Sequence, residues 1–138
     1  MIALAGFMRI LSPVFIAPYL GRMLNIHPSL LPKFRGLNTH SAALEAQEKQ
    51  HGCTVHFVTP ELDGGPIVSQ AKVNVIPGES PDELGSRVYE KELSLYPEAI
   101  ELLCAGRLVM QGNSAYLDGK EIEIKNQDNE EEAWERTD

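Results

Sequence analysis

The sequence predicts an α/β protein, a mixed β-sheet flanked by helices, and three observations lead there. Short apolar, β-branched segments alternate with segments of helical spacing in the order β-α-β-α-β-β-α-β-β. Two strand segments, 53–59 and 67–75, are joined by the turn cluster Pro60-Glu61-Leu62-Asp63-Gly64-Gly65-Pro66, which predicts an antiparallel pair within that sheet. The length of 138 residues suits one hydrophobic core rather than two.

Each element has a local reason. Residues 2–7 are apolar on both alternating faces, as a strand buried on both sides would be, and such a strand at the first residue suggests sequence upstream of it. Ser12-Pro13 opens a short helix: serine suits the N-cap, and proline suits the first helical position, where no N–H is needed. Pro18 limits that helix and Gly21 ends it. Residues 23–27 form the next strand. Pro28 and Pro32 bracket a loop running to Gly36, Asn38 or Thr39 caps a helix over 41–49, and Gly52 ends the link to the strand 53–59. Ser80-Pro81-Asp82-Glu83 is a capping box, and the stripe Leu84, Val88, Leu95, Ala99, Leu102 follows at helical spacing, with Pro97 as a point of kinking or division and Gly106 as the stop. Gly112-Asn113 between two apolar segments predicts a terminal hairpin.

Composition narrows the function classes. An apolar fraction of 43% is ordinary for a globular chain, and no apolar run is long enough to cross a bilayer. No basic region precedes an apolar run at the start, so a secretory signal is not expected and the cytoplasm is the expected compartment. From Lys120 onward three basic residues stand against eight acidic ones, so −5 of the net −8 lies in the last 19 positions. This divides the chain into residues 1–119 and a flexible acidic tail, 120–138, and argues against phosphate-backbone binding by that tail. Neither nucleic acid nor membrane is expected as a partner. Cys53 and Cys104 lie far apart in mainly apolar surroundings and read as reduced thiols. His40, His51 and His56 lack metal-ligand spacing, so no metal is expected.

Three places could carry chemistry. On the strand Met23-Leu24-Asn25-Ile26-His27, alternate residues share a face, so Asn25 and His27 project together at the strand's carboxyl end, where α/β sheets form ligand crevices. An amide donor beside an imidazole suits a carbonyl oxygen gaining negative charge; the alternative is a pair of turn residues bonding local backbone. Asp63 reads equally as a turn residue or as a partner for His27. Glu92 falls on the apolar stripe of the long helix, where a carboxylate must be paired, reach solvent or meet a ligand. Met8 and Arg9, after the first strand, could line the same crevice; otherwise Arg9 is a surface charge.

Taken together, these segments resemble a known family. Asn25-Ile26-His27-Pro28-Ser29-Leu30-Leu31-Pro32 resembles one signature of the formyltetrahydrofolate-dependent formyltransferases, and the run from Gly52 through Asp63-Gly64-Gly65-Pro66-Ile67 resembles the second, at a fitting separation. Leu4-Ala5-Gly6-Phe7-Met8-Arg9-Ile10-Leu11 is similar to the glycinamide ribonucleotide branch of that family. The resemblance covers residues 2–119 and implies the C-terminal part of the Rossmann-like formyltransferase fold, lacking an N-terminal half that carries a substrate-phosphate loop. It implies transfer of a formyl group from 10-formyltetrahydrofolate to the amine of glycinamide ribonucleotide, in purine biosynthesis, through a tetrahedral intermediate and without a metal.

By the same resemblance Asn25, His27 and Asp63 match the catalytic residues, with protonated His27 and Asn25 donating to the oxyanion. Met8, Arg9, Ile10, Leu11, Asn25, Val58, Glu61, Leu62 and Asp63 match the folate contacts, and Glu92 a contact to the nucleotide ribose. The absent phosphate loop implies weak or no activity of this chain alone. It also implies self-association, or pairing with the missing half, through the first strand. The alternatives are a methionyl-tRNA formyltransferase, against which stand the missing basic surface and extra domain; a formyltetrahydrofolate hydrolase, which usually adds a regulatory domain; and a non-catalytic folate-binding or oligomerisation fragment.

Overall fold

A computed structural model of the chain describes residues 1–5 and 11–124. Its main sheet has the order β1-β2-β3-β4, formed by β1 (Ile2–Ala5), β2 (Met23–His27), β3 (Gln50–Phe57) and β4 (Ile67–Asn74). β1 runs parallel to β2, while β2–β3 and β3–β4 are antiparallel, which makes the sheet mixed. Between the strands lie α1 (Pro13–Ile16), a 3-10 turn (Ala17–Tyr19) and α2 (Thr39–Glu45). The long helix α3 (Pro81–Cys104) covers one face, and β5 (Leu108–Gln111), β6 (Ser114–Leu117) and β7 (Lys120–Glu121) form a separate antiparallel sheet. Among the described residues no helix is long and apolar enough to cross a membrane.

Strand alternation sorts the core into two sides. Leu24 and Ile26 of β2 join Cys53, Val55 and Phe57 of β3 and Val68, Ala71 and Val73 of β4 under Leu84, Val88, Leu95 and Ala99 of α3. Met23, on the opposite face, packs with Ile16 and Val58. The α3 stripe forms the larger core because its apolar residues return every three or four positions. Its start is the anticipated capping box: Ser80 Oγ accepts from Glu83 N–H at 3.1 Å, and Glu83 Oε1 accepts from Ser80 N–H at 2.8 Å. The tyrosine at position 96 pins the helix to the sheet, its hydroxyl donating to the backbone carbonyls of Leu4 and Leu24.

Several expectations need correction. β1 is not buried on both faces: Ala3 and Ala5 are exposed, because among the described residues β1 is the edge of its sheet, beside β2 alone. Residues 6 and 7 of the expected strand lie outside the described residues. α2 ends at Glu45, not near 49, because Gln47 takes a left-handed φ of +57°, a stop with no glycine to announce it. β3 begins at Gln50, so Gly52 lies inside the strand rather than before it; a side chain there would strike the Ala71 carbonyl, 1.9 Å from the position of a Cβ. α3 runs through Pro97 undivided. The boundary expected at Gly119 falls within a hairpin, because Lys120 and Glu121 pair with Leu117 and Tyr116; residues 125–138 lie outside the described residues.

If α3 is held by its buried stripe, Leu95→Ala should lower unfolding free energy in urea by about 3 kcal/mol. Leu93→Ala, two residues away but 57% exposed, should change it by less than about 1 kcal/mol. Equal losses in the two variants would contradict the assignment of faces.

Candidate active site

β2 places Asn25 and His27 on the face away from α3, and β3 brings His56 directly opposite Asn25 in the antiparallel register. The loop after β2 is braced from β3 and β4. Thr54 Oγ1 donates to the Ser29 carbonyl at 2.7 Å and accepts from Leu31 N–H at 3.1 Å, while Gln70 Nε2 donates to the Leu31 carbonyl at 2.9 Å. These buried bonds fix the backbone beyond His27 and with it the carboxyl end of the strand.

The third side chain arrives from the turn between β3 and β4. Asp63 stands at φ +48°, a left-handed position that aspartate tolerates better than most residues. Gly65 follows because a Cβ there would lie 1.9 Å from the Phe57 carbonyl, so the turn can fold back on β3 only with glycine. Folded in this way, the turn sets Asp63 Oδ2 at 3.5 Å from His27 Nδ1 and Oδ1 at 3.6 Å from His56 Nε2. Gly36 N–H donates to Oδ2 at 3.0 Å. A carboxylate is thus held between two imidazoles, with its side chain 8% exposed.

The segment 34–36 straps this group. Phe34 carbonyl receives His27 Nε2–H at 2.8 Å, Gly36 bonds Asp63, and Arg35 pairs with Glu61 at 2.8 Å across the strap. Burial pushes the His27 pKa below the ordinary imidazole value, opposed by the Phe34 carbonyl and the Asp63 charge and reinforced by His56. The hydrogen on His27 Nε2 goes to the Phe34 carbonyl, while Nδ1 faces the Asp63 carboxylate. For Asp63, burial raises the carboxyl, but the His56 imidazole, the Gly36 N–H and the His27 charge outweigh it, and the group stays below the usual carboxylate range.

Beside this group lies a cleft lined by Leu4, Leu11, Ile16, Asn25, His56, Val58, Thr59, Pro60, Glu61, Leu62 and Asp63. Of the residues singled out from the sequence, it gathers Leu11, Asn25, Val58, Glu61, Leu62 and Asp63; Met8, Arg9 and Ile10 lie outside the described residues. His27 sits behind Asp63 under the strap and does not line the cleft. One wall is apolar and the other carries an amide, an imidazole and a carboxylate, the mixture expected where a ligand's orientation is fixed by a few polar groups. Asn25 Oδ1 is buried with no hydrogen-bond partner among the described residues. Glu92 is not brought into this group: α3 covers the opposite face of the sheet, where burial raises the Glu92 carboxyl. Its charge, after burial, helps push the Cys53 thiol up to about 12. Among the described residues no group of three or more histidine, cysteine or acidic side chains could hold a metal ion.

His56 was passed over in the sequence because it was weighed only as a metal ligand. The signal that finds it is its pairing position: on neighbouring antiparallel strands, the residue facing Asn25 falls at 56 once the hairpin from 53 to 75 is registered.

This arrangement sets a strand-end amide and imidazole beside a carboxylate on a glycine turn, and the comparisons give the family. The formyl transferase family model for the N-terminal module matches residues 1–100, and the chain belongs to that family. The match to that module replaces the expectation of a C-terminal part. More particularly, the chain is 55% identical over 121 residues to the phosphoribosylglycinamide formyltransferase of Escherichia coli (strain K12), covering 88% of this chain and 57% of that protein. The solved phosphoribosylglycinamide formyltransferase of Coxiella burnetii superposes with a TM-score of 0.84 at 50% identity, covering 89% of this chain and 58% of that one. A formyltetrahydrofolate deformylase of Pseudomonas syringae pv. tomato superposes at 0.75 with 30% identity, covering 80% and 37%. The chain thus spans a little more than half the length of the two formyltransferases it matches.

Titration of the buried histidines gives a stability test. His51, 1% exposed and 3.0 Å from His40 Nδ1, has its pKa lowered to about 4 by burial and then by the charges of His40 and His27. The fold therefore favours neutral His51. Its contribution is complete above the unfolded value near 6.5 and is lost as pH falls toward 4, by about 3 kcal/mol. Urea unfolding between pH 7.5 and 4 should show this loss, and His51→Gln should flatten that part of the slope. An unchanged slope in the variant would contradict it.

Proposed function

We propose that this chain carries the formyl-transfer chemistry of its family, moving a formyl group from 10-formyltetrahydrofolate to the primary amine of glycinamide ribonucleotide, with Asn25, His27 and Asp63 as the reacting centre. The observation that supports this most is the Asp63 carboxylate held between His27 and His56 at the edge of the cleft that Asn25 lines.

The chemistry follows from the groups. When an amine attacks a formyl carbon, negative charge grows on the formyl oxygen, and prepositioned donors stabilise it. Asn25 Nδ2 has two hydrogens, one directed at His56 and one left for that oxygen. His27 Nε2–H already donates to a carbonyl oxygen, that of Phe34, so a substrate oxygen can take the same place once the strap yields. Asp63, low in pKa, stabilises positive charge as it builds on His27 and can receive the proton that the amine loses, directly or through water.

The apolar wall of Leu4, Leu11, Ile16 and Val58 suits the flat ring end of a folate, with Glu61, Leu62 and Asp63 offering polar and backbone groups at its rim. Met8, Arg9 and Ile10 complete this set in our reading. To Glu92, half-buried on α3 and outside the cleft that suits the folate, we assign the nucleotide ribose, which requires the nucleotide to extend from the reacting centre to the α3 side of the sheet. We place the protein in the cytoplasm, and the bare edge of β1 is the surface through which it pairs with a further strand.

The deformylase likeness keeps one rival, in which water replaces the amine as acceptor. The chain, given 10-formyltetrahydrofolate, should formylate glycinamide ribonucleotide faster than it releases formate. Release of formate alone, or no turnover even when the missing half of the family fold is supplied in trans, would overturn the proposal. His27→Ala and Asp63→Asn should each lower kcat on the order of 100-fold, with the KM for folate changed only a few-fold. If Asn25→Ala turns over as the parent does, the amide has no part in the reaction.

A further inference from the structure

We propose that His56 is a positioning residue of this site: its imidazole, held in one tautomer by the Phe57 carbonyl, fixes the Asn25 amide in one of its two orientations and leaves Asn25 Oδ1 to accept an N–H from the ligand. His56 Nδ1 lies 2.9 Å from the Phe57 carbonyl oxygen. A carbonyl can only accept, so in the neutral ring the hydrogen sits on Nδ1 and Nε2 is a bare acceptor. The ring cannot turn to escape this, because it is 2% exposed on an interior strand.

Asn25 answers that fixed acceptor. The two residues are cross-strand partners, and Asn25 Nδ2 lies 3.4 Å from His56 Nε2. The reversed amide would set Oδ1 against the Nε2 lone pair, acceptor to acceptor, so the tautomer of one residue decides the orientation of the other. Asp63 Oδ1 stands slightly farther from the same Nε2, at 3.6 Å, so the amide is the nearer partner of that nitrogen.

The consequence is the unpartnered Oδ1. It is buried, it belongs to a residue lining the cleft, and no group among the described residues bonds to it. A buried acceptor left open at a cleft is matched to a donor on the ligand, here an amine or amide N–H rather than a carbonyl. In the formyl-transfer reading, on which this step rests, that donor is the attacking amine: Oδ1 receives one of its hydrogens and aims its lone pair, while the second hydrogen of Nδ2 remains for the formyl oxygen. Asn25 would then hold both reactants, and His56 would set which end of the amide meets each.

The test has two arms on the full chain. In nitrogen-15 spectra of uniformly labelled protein at neutral pH, His56 should show a protonated Nδ1 and a bare Nε2, and His56→Phe should shift the Asn25 side-chain amide resonances. A His56 ring protonated on Nε2 alone, or an Asn25 amide that does not respond, overturns the inference whether or not the chain transfers formyl groups. In the kinetic arm, His56→Phe should lower kcat by about 10-fold, the size of one lost hydrogen bond, with the KM for the formyl donor within about twofold. His56→Gln, whose Oε1 can accept from Asn25, should recover most of that loss. Equal losses in both variants overturn the acceptor role. A chain with no transfer activity even when the missing half is supplied in trans refutes the functional reading and leaves the spectra to decide the role of His56.

Discussion

A carboxylate set between two buried imidazoles is the constraint on which the rest of this structure depends. Asp63 reaches that place only because a left-handed turn and a glycine let the loop after β3 fold back on its own strand. Once there, it needs donors, and it takes one from the Gly36 backbone and the favourable charge of His27. The strap at 34–36 is held by the same demand, since Phe34 and Gly36 bond the imidazole and the carboxylate from one short stretch of chain. Removing the carboxylate would release the strap as well as alter the chemistry, so site and loop form one unit.

The sheet supplies the rigidity behind that unit. β2 shows Leu24 and Ile26 to the core under α3 and Asn25 and His27 to the opposite face, where Asn25 lines the cleft, so the burial that anchors the strand also aims its polar groups. A shift of one residue would bury the amide and imidazole under α3 and expose two aliphatic side chains, which is why the register is strongly specified. Thr54 and Gln70 then tie down the loop just past His27 with buried hydrogen bonds. Asn25, His27 and His56 thus stand on strands, while Asp63 and the 34–36 strap stand on loops.

Much of this was legible in the sequence, and the limits follow from physics. Asn25 and His27 could be placed on one face because a strand has a period of two, and Ser80-Pro81-Asp82-Glu83 announced α3 because its capping bonds are local. Gly52 was misread as a link because its reason is the Ala71 carbonyl of a strand nearly twenty residues away. The end of α2 escaped notice because Gln47 adopts a glycine-like conformation. His56 was missed because its meaning lies in what faces it across β2, which spacing along one segment does not reveal. The lowering of the His27 pKa also depends on burial, a tertiary fact. Glu92 stood out as an odd charge on an apolar stripe, and that it does not line the cleft emerges only in three dimensions.

The account centres on an amide and an imidazole converging on one ligand oxygen beside Asp63. A crystal structure of the chain with a formyl-folate analogue measures that convergence directly. It should place the ligand's carbonyl oxygen within about 3.2 Å of both Asn25 Nδ2 and His27 Nε2, with the Phe34 carbonyl moved aside. A bound analogue whose carbonyl points away from both, while His27 stays bonded to Phe34, would contradict it.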